Sequence, residues 1–66
     1  MNIVSGYRKM LGYTQSDMAD KLGISKQSYY RKENRLVPFS DKEKLIIKEM
    51  LIPFFPNITI DDIFFR

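Results

Sequence analysis

The stretch GISKQSYYRKEN, Gly23 to Asn34, holds a concentration of side chains able to do chemistry at a surface. Lys26, Arg31 and Lys32 carry fixed positive charge, while Gln27 and Ser28 offer amide and hydroxyl groups. Such a set donates many hydrogen bonds and neutralises anions, but it is poorly equipped to move a proton or attack a carbonyl. The rest of the chain does not supply what is missing. With no histidine and no cysteine, the commonest general base and neutral metal ligand is absent, as are thiolate metal sites and disulfides. Neither an enzyme nor a metal or other cofactor is expected.

The charge balance points the same way. Net charge is +3, but residues 1–35 hold 7 Lys/Arg against 3 acids, and residues 36–66 hold 4 against 5. A basic first half suits a polyanionic partner, and it equally suits an ordinary solvated surface. The 66 residues make a single domain, 1–66, that buries only about 60% of the surface its unfolded chain exposes. A deep catalytic cleft is not expected in so thin a core. No apolar run approaches the roughly 20 residues of a membrane span, and no charged leader precedes an apolar stretch. The expectation is a soluble, cytoplasmic protein.

Short helices must position the basic segment. Val4, Tyr7 and Leu11 recur at helical spacing, and Gly12 ends that first stripe. Thr14 is an N-cap for QSDMADKL with Asp17 as its capping-box partner, and Met18, Ala19 and Leu22 fall on the inner face. Gly23 and Ile24 turn the chain, and Ser25 caps a third helix running to about Asn34. Ser40 and Glu43 open a fourth helix whose inner residues are Ile46, Ile47, Met50 and Leu51. Pro53 stops it. Thr59 and Asp62 favour a last short helix, Ile60 to Phe65, over a strand at NITI.

Two short helices joined by a tight turn with glycine form a helix-turn-helix unit, here at about residues 15–34. Ala19 is small where the helices cross, Gly23 supplies positive φ at the reversal, and Ile24 and Tyr29 plug the gap between them. The run TQSDMADKLGISKQSYYRKEN resembles the Cro/repressor, or XRE, family of phage helix-turn-helix proteins. Gln15, Ala19, Gly23, Ile24, Ser25, Tyr29 and the Glu33–Asn34 pair carry the resemblance, with Arg8 before them. It covers residues 3–52, and the tail TIDDIFF also looks like the ending of small phage repressors of Gram-positive hosts.

The resemblance implies an all-α, compact four- to five-helix domain of lambda-repressor-like architecture that binds double-stranded operator DNA. On that reading Lys26, Gln27, Ser28 and Arg31 read base edges: Gln suits adenine N6/N7, and Lys and Arg suit guanine O6/N7. Gln15 looks like the family's phosphate clamp at a helix start, with Asn34, Arg35 and Lys32 as further phosphate contacts. Arg8 and Glu33 are implied to form a partly buried ion pair. Lys32 stands where the family usually has an apolar residue, so either helix three packs less deeply there, or the lysine stem covers the core while its amine reaches water or phosphate. Arg35 stands where the family commonly has glycine, and Asn34 is expected to take the left-handed position instead. A homodimer on DNA is expected, contacting half-sites about 34–36 Å apart. Residues 53–66 form either its interface, through Phe54, Phe55, Phe64 and Phe65, or a core-closing tail. No small-molecule ligand is expected. The competing expectation is a protein-binding module of the same shape that engages a repressor or toxin.

Overall fold

Each helix begins on a short polar side chain that accepts a hydrogen bond from the backbone N–H three residues on. Asn2, Thr14, Ser25, Ser40 and Thr59 do this in turn, satisfying donors that the first helical turn leaves without partners. Thr14 with Asp17, Ser40 with Glu43 and Thr59 with Asp62 close full capping boxes. A computed structural model describes residues 2–65. In it these starts open α1 (Ile3–Met10), α2 (Gln15–Leu22), α3 (Lys26–Glu33), α4 (Asp41–Leu51) and α5 (Ile60–Phe64). No strand forms among the described residues, so NITI is not one; Thr59 caps α5 instead. None of the helices is long and apolar enough to cross a membrane.

Three of the reversals that follow are built alike. After α1, α2 and α3 the chain enters the left-handed region at Gly12 (φ 79), Gly23 (φ 69) and Arg35 (φ 64). At each, two N–H groups turn back onto the last helical carbonyls, as in Gly23 to Asp20 and Ile24 to Ala19. Arg35 and Leu36 repeat the pattern onto Lys32 and Arg31 at 3.2 and 2.9 Å. The left-handed residue is therefore Arg35 and not Asn34, which keeps φ −87. The reason is register: α3 ends at Glu33, and the reverse bonds fall one residue later than the sequence suggests.

All five helices feed one core: Val4 of α1, Met18, Ala19 and Leu22 of α2, Tyr29 of α3, Ile47 and Leu51 of α4, and Ile63 of α5. Phe39 and Ile58 fill it from the loops on either side of α4. Tyr29 is wholly buried with its ring 6.1 Å from that of Phe39, which in turn meets Phe64 at 5.4 Å. This aromatic column seats α3 on the later helices. The half of the chain without basic excess thus supports the half that has it.

Candidate functional site

The α2–α3 unit presents its outer surface on α3. Gly23 makes the turn without a Cβ penalty, and nothing lies within 4 Å of where a Cβ would stand, so backbone conformation and not crowding sets the choice. Ile24 packs partly into the core, and Ser25 starts α3 by accepting from the Ser28 N–H at 3.1 Å. Tyr29 and Glu33, one turn apart, take the inner face. Lys26, Gln27, Tyr30 and Arg31 are left exposed, and Ser28 is half-buried at the margin.

Glu33 anchors the end of α3. Arg8 of α1 donates Nε to Oε2 at 2.8 Å and Nη2 to Oε1 at 3.3 Å, a two-point pair with side chains only 11% and 4% exposed. Arg8 also donates to the Tyr13 carbonyl at 2.9 Å, and Asn2 donates its amide to the Glu33 carbonyl. Burial pushes the Glu33 carboxyl upward, but hydrogen bonds from Arg8 and Gln15 and the charge of Arg8 outweigh it, holding the group below the usual glutamate value. The same pairing raises Arg8 further. The Tyr29 hydroxyl lies beside this pair without a well-formed hydrogen bond. Burial first, then the Glu33 carboxylate, push that phenol well above its ordinary value.

Gln15 belongs to the same cluster. Its Nε2 donates to Glu33 Oε1 at 3.2 Å, which fixes the side chain at the start of α2 and leaves it one more amide hydrogen. Lys32 differs from its expected role. Its ammonium turns inward and sits on both Glu43 oxygens at 2.7 and 2.8 Å, with the lysine side chain 14% exposed. Glu43 is buried by the start of α4, where burial pushes its carboxyl upward and Lys32 and the Ser40 N–H more than offset this, so the group titrates below the usual range. A buried carboxylate needs a cation, and Lys32 supplies it. The sequence shows Glu43 as a capping partner; its ion pair was not foreseen. Its only trace in the sequence is a lysine where the family usually has an apolar side chain.

Asn34 is exposed and donates its amide to the Tyr30 carbonyl at 2.8 Å, while Arg35 is exposed at the left-handed turn. Tyr30 stands exposed on the outer face of α3 beside Lys26 and Arg31. The four tail phenylalanines do not form one patch. Phe54 and Phe55 line a shallow cavity with Tyr7 and Ile58, and Phe55 meets the Tyr7 ring edge-on at 5.8 Å. Phe64 packs against the core from the other side, and Phe65 lies exposed under the Lys44 ammonium, 4.8 Å away. The last helix thus closes the core through Ile63 and Phe64.

A family model described as helix-turn-helix matches residues 6–40, just over half of the chain. No curated protein and no solved structure matches it.

Proposed function

The chain belongs to the helix-turn-helix family of XRE type, a family of DNA-binding regulators, and from that premise we propose that it is a sequence-specific transcriptional regulator of phage or prophage Cro/repressor kind. It reads double-stranded operator DNA with α3 in the major groove. One observation carries the reading: Lys26, Gln27 and Arg31 are exposed on a helix whose opposite face is clamped by two ion pairs. Side chains that need fixed geometry to tell bases apart stand on a helix tied to α1 and α4 by those pairs.

In this scheme Lys26 and Arg31 donate to guanine O6/N7, Gln27 pairs with adenine, and Ser28 contacts a base edge from the margin of the helix. Gln15 uses its remaining amide hydrogen, together with the N–H groups opening α2, on one phosphate. Asn34 and Arg35 hold the backbone on the other side of the groove, and Lys32 acts through Glu43 to keep α3 in place. The protein works as a homodimer on DNA in the cytoplasm of a bacterial host, with Phe54 and Phe55 as the apolar surface that meets the second copy. It acts without enzymatic activity or cofactor.

Fluorescence anisotropy with DNA flanking the chain's own gene and with scrambled DNA, across a salt series, tests this. Preference for the flanking DNA by ~10³-fold or more, lost in a Lys26→Ala, Gln27→Ala variant that still binds weakly and salt-dependently, is the expected result. Equal weak binding of both DNAs by both proteins would sink the reading. A second reading, a protein-binding module that engages a repressor or toxin, draws on Phe54, Phe65 and Leu36, apolar side chains that are 61%, 66% and 71% exposed. It predicts binding that survives loss of Lys26 and Gln27 but not of Phe54.

A further inference from the structure

Tyr30 is an aromatic side chain with no duty in the fold. The residue is 51% exposed, and its ring enters none of the ring pairs or ring–cation contacts among the described residues. What the fold uses is its carbonyl, which accepts from the Asn34 N–H and from the Asn34 side chain. Tyrosine is a poorer helix former than alanine, lysine or glutamate, so local structure does not call for it either.

Its position is what gives it meaning. Lys26, Tyr30 and the C-cap Asn34 follow one another at four-residue spacing along α3 and its end, and Gln27 and Arg31 form the adjoining row. The ring therefore stands as an apolar island inside an otherwise polar, exposed face. Ser25 at one end and the Glu33 and Lys32 ion pairs at the other fix that face in space. Among the groups a major groove offers, hydrogen-bond donors and acceptors match Lys26, Gln27 and Arg31, and one apolar group is left: the 5-methyl of thymine.

We propose that Tyr30 is a specificity-determining residue whose ring selects thymine at one position of each half-site through that methyl group. This rests on the DNA-reading role of α3 and names an additional base that it reads. The ring makes the contact, and the hydroxyl points past it toward solvent or the groove wall.

The test begins by selecting a preferred site from random double-stranded DNA with the wild-type chain. Each thymine of that site is then replaced singly by deoxyuridine, which removes the methyl and leaves the base pair intact, and affinities are measured for wild type, Tyr30→Phe and Tyr30→Ala. At one thymine per half-site, loss of the methyl is expected to weaken wild type and Tyr30→Phe by about fourfold, the effect of burying one methyl-sized group. Tyr30→Ala is expected to bind the two DNAs equally there. Circular dichroism should show the helical fold retained in all three proteins, with any shift in the Tyr30→Ala melt corrected for in the binding comparison. A wild type insensitive to every methyl, or a Tyr30→Ala variant that keeps the full loss, overturns the role of Tyr30 while leaving α3 as the reader. Failure of the wild type to select any sequence overturns both together.

Discussion

Glu33 joins the fold to the exposed face of α3 proposed to read DNA. Three groups from outside α3 converge on it, Arg8 and Gln15 at its carboxylate and Asn2 at its carbonyl. Arg8→Ala would leave a buried carboxylate without its cation, at a cost of about 3–5 kcal/mol. A domain of this size is held by only about 3–10 kcal/mol in total, so urea denaturation should show a strongly lowered midpoint, by at least about a third of the wild-type stability. The same carboxylates set the acid limit. Glu33 and Glu43 both titrate below the ordinary glutamate value in the folded state, so in acid the unfolded chain binds protons that the folded chain refuses. Stability is complete above the ordinary value, about 4.3, and falls as pH drops through the folded values. Urea midpoints recorded from about pH 7 down to about pH 3 should decline only in the acid part, and Glu43→Gln should lower the neutral midpoint while flattening that decline. Arg35 is the opposite case, a residue that works against its own backbone. Arg35→Gly removes the left-handed strain at φ 64, and the urea midpoint should rise by the equivalent of about 1 kcal/mol. Its DNA affinity should fall over the same substitution if the guanidinium holds a phosphate.

Among the elements, α3 depends most on its two ends. Its start and first turn were legible in the sequence because Ser25 and Gly23 are specific punctuation: one accepts the Ser28 N–H, the other turns the preceding helix end left-handed. Ser25→Ala should cost about 1 kcal/mol of stability. It should also weaken operator binding further than that loss explains, since the first turn it loosens carries Lys26 and Gln27. Parallel denaturation and anisotropy series on this variant separate the two effects. Gly23→Ala tests the turn alone. With open space around the position, its cost of about 1 kcal/mol would be purely conformational, and a larger loss would mean that Ile24 and Ser25 had moved. The end of α3 was not legible to the same degree. Asn34 looked better suited than Arg35 to a left-handed position, but the reverse hydrogen bonds to Lys32 and Arg31 are fixed by where the helix stops.

At the scale of the whole molecule, the open issue in the sequence was the aromatic tail, and the structure divides it. Phe64 closes the core beside Phe39, so its removal would destabilise the fold and say little about association. Phe54 and Phe55, on the far side of α5, are the pair to change. Sedimentation on DNA of a Phe54→Ser, Phe55→Ser variant is expected to give a monomer that is still folded, its melting temperature lowered by the loss of the Tyr7–Phe55 ring contact, in contrast to the dimer proposed for wild type. Continued association with the fold retained would place the dimer surface elsewhere.

The sequence by itself determined the five helices, the position of the turn and the outward polar row on α3, because caps, glycines and apolar spacing are local signals. It also marked Arg8 and Glu33 as a pair through family resemblance. What only tertiary structure decided were contacts between distant segments: Lys32 with Glu43 across a loop, Gln15 bound to Glu33, Phe64 turned inward, and Tyr30 left outside. Each depends on how the helices cross. Side-chain spacing along one helix says which residues share a face, but which neighbour that face meets is set only when all the helices pack around one small core.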